Sequence, residues 1–137
     1  MTQQTVAQTI SIIYFIFWML VLYAGADHPP PIGFLIFFPL VGLCAYVVYR
    51  RLPTYIDWHQ QRKTWRYLRV LADGLIAGLC VAGLIYLIQL IIPLGDPTIV
   101  MSMWDHLIWI SVLAVMGILN AVGLYFITAV AHSVFIR

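Results

Sequence analysis

A chain of 137 residues that is 64% hydrophobic and 9% charged is not a water-soluble domain, since such a domain carries roughly 25% charged residues. Its mean hydropathy of +0.98 places it among integral membrane proteins. The formal net charge of +2 is small, and nucleic acid is not expected as a partner, because nothing basic is present beyond one membrane-flanking stretch and the last residue.

Residues 1–8 are polar and uncharged, and a first apolar span runs over about 9–25. With its flanks it approaches the roughly 20 residues that a bilayer crossing needs. Ala24-Gly25-Ala26 has the small-x-small pattern of a signal cleavage site, but the amino end lacks the positive charge of a signal peptide. The span is therefore expected to stay, with Gly25 closing it in a left-handed cap.

Pro29-Pro30-Pro31 predicts a stiff turn, and the second span is expected over 32–49. Pro39 lies inside it and predicts a local kink. Together the first two spans form a helical hairpin. Arg50–Arg69 then holds six of the seven Lys and Arg residues: Arg50, Arg51, Arg62, Lys63, Arg66 and Arg69. Lys/Arg bias in short loops sets membrane orientation, so this stretch and both termini are expected in the cytoplasm. The protein would then sit in the plasma membrane as a multi-pass protein, with the basic stretch against anionic lipid.

Thr54-Tyr55-Ile56-Asp57 has the form of a capping box, so a new helix is expected to open there. No Gly or Pro follows until Gly74, which predicts a helix running without a break into the third span. Trp58, Arg62, Trp65 and Arg69 recur at helical spacing and, with Arg66, read as a lipid-interface face. Aromatic rings anchor at the headgroups and long cations snorkel there.

The third span is expected over 70–92, stopped by Pro93. Gly74, Gly78 and Ala82 recur every four residues along it, the spacing that lets helix backbones approach in lipid. Asp73 is beside this stripe, one turn after Arg69. An intramembrane acid invites a functional reading, while pairing with Arg69 would be a purely structural role. Gln89 is near the outer end of the span.

Ser102-Met103-Trp104-Asp105 is a second capping-box pattern, opening a fourth span over about 105–134. Near its centre Asn120, flanked by Gly117 and Ala121, is expected to clamp a neighbouring helix. The fold class is thus an all-α membrane protein: a four-helix transmembrane bundle in one domain, with a helical basic and aromatic segment between helices 2 and 3. Cys44 and Cys80 are expected at depths of roughly 9 and 16 Å from the basic stretch, too different for a disulfide.

Three functional readings follow. The first is a non-enzymatic accessory, regulatory or immunity-type subunit acting through helix packing at Gly74, Gly78, Ala82, Gly117 and Ala121, with a larger membrane protein or another copy as partner. The second is an oligomeric transporter or channel subunit using Asp73, Asn120 and Gln89. The third is an outer-face metal or enzymatic site formed by Asp27, His28, Asp105 and His106, since imidazole and carboxylate suit a divalent ion. No phosphate loop, nucleophile elbow, His-Glu-x-x-His or Cys-x-x-Cys is present, and no cofactor is called for.

Overall fold

A computed structural model describes residues 2–26, 35–61, 64–92 and 101–135. Among them the chain is all-helical: α1 (Gln3–Gly25), α2 (Phe37–Gln60), α3 (Arg66–Ile91) and α4 (Met103–Phe135). Of these, α1, α3 and α4 are long and apolar enough to cross a membrane. The expected second span lies partly outside the described residues, and α2 continues past Arg50 and Arg51. The chain forms two compact units, Met1–Gln61 with Thr128–Arg137, and Arg62–Ile127.

In the first unit α1 begins earlier than its apolar run. Thr2 caps it, the side chain accepting the Thr5 N–H at 3.2 Å, which satisfies one of the first-turn donors. The expected left-handed cap at Gly25 is not used. Gly25 is the last helical residue and the chain leaves through extended Ala26 (φ −83°, ψ 152°), whose N–H tightens onto Tyr23 O. A contracted last bond of this kind closes a helix without a positive φ.

Pro39 is the third residue of α2, not an interior one. First-turn N–H groups have no helical acceptor, so the proline removes no bond and the expected kink has no cause. The interior proline is Pro53, and α2 runs straight through it. Burial explains this. Leu52, Tyr55 and Ile56 are 1%, 5% and 0% exposed, and each such side chain contributes about 1.5–3 kcal/mol. Together they outweigh the ~3 kcal/mol an interior proline costs. Thr54 is consequently mid-helix, and no new helix opens there.

The buried residues of α2 are Val41, Ala45, Val48, Leu52, Tyr55 and Ile56, the alternating four-and-three spacing of a helix packed along one seam. On α1 the matching contacts are Ser11 Oγ to Ala45 O (2.6 Å) and Gln4 Nε2 to Tyr49 Oη (3.2 Å). The carboxyl end of α4 joins this unit, where His132 meets Gln60 and His59.

The expected unbroken helix into the third span is also corrected. Turns at Gln61 and at Thr64–Trp65 separate α2 from α3. Between Ile56 and Val70 no described residue is buried, and helices this exposed depend on propensity alone, which is weak. Trp58 therefore belongs to α2, while Trp65 caps α3 and Arg66 and Arg69 belong to its start, so they form no common helical face.

In the second unit α3 ends at extended Ile92 (φ −129°, ψ 111°), the conformation that the following Pro93 imposes. The helix α4 opens on a reciprocal capping box. Ser102 Oγ accepts the Asp105 N–H at 3.3 Å, while Asp105 Oδ2 accepts from Ser102 N and Oγ at 2.8 and 2.7 Å. At 33 residues, α4 measures about 50 Å, well beyond a bilayer core of roughly 30 Å.

Candidate functional site

The best-defined site is the contact between α3 and α4 in the second unit. The buried residues of α3 are Val70, Gly74, Gly78 and Ala82. A Cβ built on Gly74 would stand 2.6 Å from Ile118 Cα, 2.7 Å from Gly117 O and 2.8 Å from Ala121 Cβ. One built on Gly78 would collide with Leu113 O and stand 2.8 Å from Ala114 Cα. From the other side, a Cβ on Gly117 would collide with Gly74 O and stand 2.7 Å from Gly78 Cα. The obstacles are mostly backbone, which cannot swing aside. The two helices touch main chain to main chain, the close approach that small residues allow. Ala121, 6% exposed, lies on the same seam.

Aromatic and polar groups close the seam at both ends. At one end Tyr67 and Tyr125 meet edge to face at 5.8 Å. The Arg66 guanidinium lies 4.7 Å over the Tyr67 ring and donates to Tyr67 Oη at 2.9 Å. At the other end Tyr86 Oη and His106 Nδ1 are 2.9 Å apart. Tyr67 faces Tyr125, Gly74 faces Ile118, Gly78 faces Ala114 and Tyr86 faces His106. A single antiparallel register covers the whole contact. The tyrosines carry no small-residue pattern, so only their aromatic character near the helix ends signals them.

The remaining polar candidates lie apart from this seam's backbone contact. Asn120, half-buried, donates Nδ2 to Met116 O at 2.8 Å. That donor is satisfied on its own helix, where a bond to a neighbouring helix is the expectation from sequence. Ser111 turns back onto Leu107 O and Ser133 onto Val130 O in the same way. Asp73 is half-buried, with Oδ2 out of contact with solvent, and Arg69 one turn before it is exposed. Gln89 is exposed, as is Trp65 at 67%, whereas Trp58 is half-buried against Tyr55, ring centroids 5.7 Å apart. Arg62 lies outside the described residues.

The outer-face metal set is only half in view. Asp27 and His28 lie outside the described residues, and among the described ones no group of three or more His, Cys, Asp or Glu converges. Asp105 and His106 have structural tasks, the first capping α4 and the second meeting Tyr86. Cys44 and Cys80 are free thiols.

Around the seam the helices are apolar outward. On α3, Leu75, Ile76 and Leu79 are exposed, and on α4 so are Val112, Val115 and Leu119. Exposed apolar area on this scale is stable only against lipid or protein. The fold and its surface thus define an all-helical protein compatible with a multi-pass membrane protein. Comparison with protein-family models, with curated proteins and with solved structures finds no match.

Proposed function

We propose that the chain is a four-span protein of the plasma membrane, with both termini and the Arg50–Arg69 stretch cytoplasmic. It works without catalysis, as an accessory or regulatory subunit of a larger membrane assembly or of its own oligomer. The observation that carries this reading is the α3–α4 seam. Gly74, Gly78 and Gly117 are consumed inside the chain, which makes α3 and α4 a stiff pair and leaves their outer sides for lateral contact. Catalysis would need converging reactive groups, whereas Ser102, Asp105, Ser111 and Asn120 are engaged in capping and in bonds to their own helix, and Tyr86 and His106 with each other. A photo-crosslinker at Ile76 or Leu119, activated in intact membranes, should give one discrete adduct, either a dimer or a single heterologous partner. Only monomer at both positions sinks the reading.

A second reading is favoured by Asp73, whose Oδ2 is shielded within a helix apolar enough to span a membrane. A carboxylate so placed is costly and suits proton- or cation-linked transport by an oligomer. Liposome flux that Asp73→Asn leaves unchanged removes this reading.

A further inference from the structure

A cleft of about 620 Å³ opens in the first unit, between the first turn of α1 and the middle of α2. Thr2, Gln3, Gln4 and Ala7 line one side, and Tyr49, Arg50 and Pro53 the other. Its size is within the usual range for a small-ligand site, roughly 300–1,000 Å³.

Three features give it a chemistry. The first is charge: among the described residues lining the cleft, Arg50 is the ionisable group other than tyrosine, and none of them is a carboxylate. The guanidinium presents a planar fork of N–H donors that matches a phosphate diester. The second is the polar rim. Gln4 Nε2 and Tyr49 Oη, 3.2 Å apart, tie the two helices together beside Arg50 and put amide and hydroxyl groups at the opening. The third is an apolar side. Pro53 sets its ring in the α2 wall and gives the cleft an apolar side next to the polar rim.

Depth completes the argument. The cleft is at the amino end of α1, a helix apolar enough to span a membrane, and Arg50 is the first charge after the apolar run that ends at Tyr49. Resting on the four-span reading proposed above, the cleft lies where hydrocarbon gives way to headgroups. Basic pockets between helices at that level hold anionic headgroups. We infer that this cleft binds the phosphate diester of an anionic glycerophospholipid, with Arg50 on the phosphate and Gln4 and Tyr49 orienting the headgroup.

The test uses the full chain in mild non-ionic detergent, titrated with phosphatidylglycerol or phosphatidylcholine, with bound lipid counted by native mass spectrometry. Phosphatidylglycerol should bind more tightly, and Arg50→Gln should lower its affinity about tenfold, the loss of one charge-assisted bond. Arg51→Gln, one residue away but outside the cleft, should change it less than about twofold. Gln4→Ala, which leaves every charge in place, should weaken binding about threefold, a modest neutral hydrogen bond. Equal losses in Arg50→Gln and Arg51→Gln would reveal only diffuse attraction to a basic stretch and overturn the site. Unchanged affinity in Arg50→Gln and Gln4→Ala, with helical content intact, overturns it as well. Displacement of the lipid by millimolar inorganic phosphate would assign the site to a soluble phosphate and overturn the lipid assignment, and failure to compete supports it.

Discussion

Gly78 has no room for even one methyl group, because the Leu113 carbonyl and Ala114 Cα fill the place a Cβ would take. Gly78→Ala should therefore destabilise the α3–α4 contact by about 1–3 kcal/mol, the usual cost of overpacking. Gly83, five residues on, has nothing within 4 Å of such a Cβ. Gly83→Ala should be neutral or stabilise by up to about 1 kcal/mol through helix propensity. Thermal unfolding of both variants in the same detergent checks the pair, and similar losses would mean the seam is not what makes Gly78 special. Tyr86→Phe removes only the hydroxyl that meets His106 and should cost about 0.6 kcal/mol, typical of an interhelical bond in a membrane protein. The four-residue repeat of Gly74, Gly78 and Ala82 is plain in the sequence, but its partner is not. Gly117 and Ala121 gave a hint, whereas Leu113, Ala114 and Ile118 look like any other apolar residues. Small residues announce that a backbone comes close without saying whose backbone it is.

At the scale of elements, two similar capping patterns had opposite fates. Ser102 and Asp105 exchange bonds at the start of α4, while Thr54 and Asp57 lie within α2. Ser102→Ala should cost about 1 kcal/mol and Thr54→Ala less than about 0.5 kcal/mol, measured by unfolding. The sequence pattern is the same in both because a capping box is local, whereas the decision to continue a helix is not. Leu52, Tyr55 and Ile56 carried α2 past Pro53 by burial, and burial depends on neighbours that local sequence does not display. Pro53→Ala restores the missing rung at Tyr49 and should raise the unfolding midpoint, by up to about 3 kcal/mol in stability. A drop would mean that Pro53 is shaped to its place by more than tolerance. The break between α2 and α3 has the same origin in reverse, since none of the described residues there is buried and a helix needs such contacts to hold together.

For the whole molecule, composition pointed to a membrane protein, and three helices long and apolar enough to cross a bilayer are compatible with that. Exposed Ile12, Ile16, Phe17 and Leu20 on α1 repeat the pattern seen on α3 and α4. The protein should consequently partition into the membrane fraction and resist alkaline carbonate extraction; release into the supernatant would contradict a spanning topology. Orientation rests on the Arg50–Arg69 bias. Thiol reagents that do not cross membranes should label single cysteines introduced at Gln60 only from the cytoplasmic side, and labelling from outside would reverse the topology. Helix number and type were readable because apolar runs and breakers are strong, short-range signals. The candidate site was less readable, since its tyrosine ends, its backbone obstacles and the cleft beside Arg50 arise only when residues distant in sequence meet.

The single register of α3 against α4 also limits how this pair can move. A slide of one helical turn would bring Ile118 opposite Gly78 and carry Ala82 to Ala114, setting a methyl group where only a hydrogen fits. Tyr86 would face Ile110 and lose His106. Ratcheting one helix along the other in this direction thus meets a steric clash at Ala82 and loses the bond to His106 at once. Whatever motion the protein uses must keep these two helices in step, as one body that tilts or turns but does not change its length.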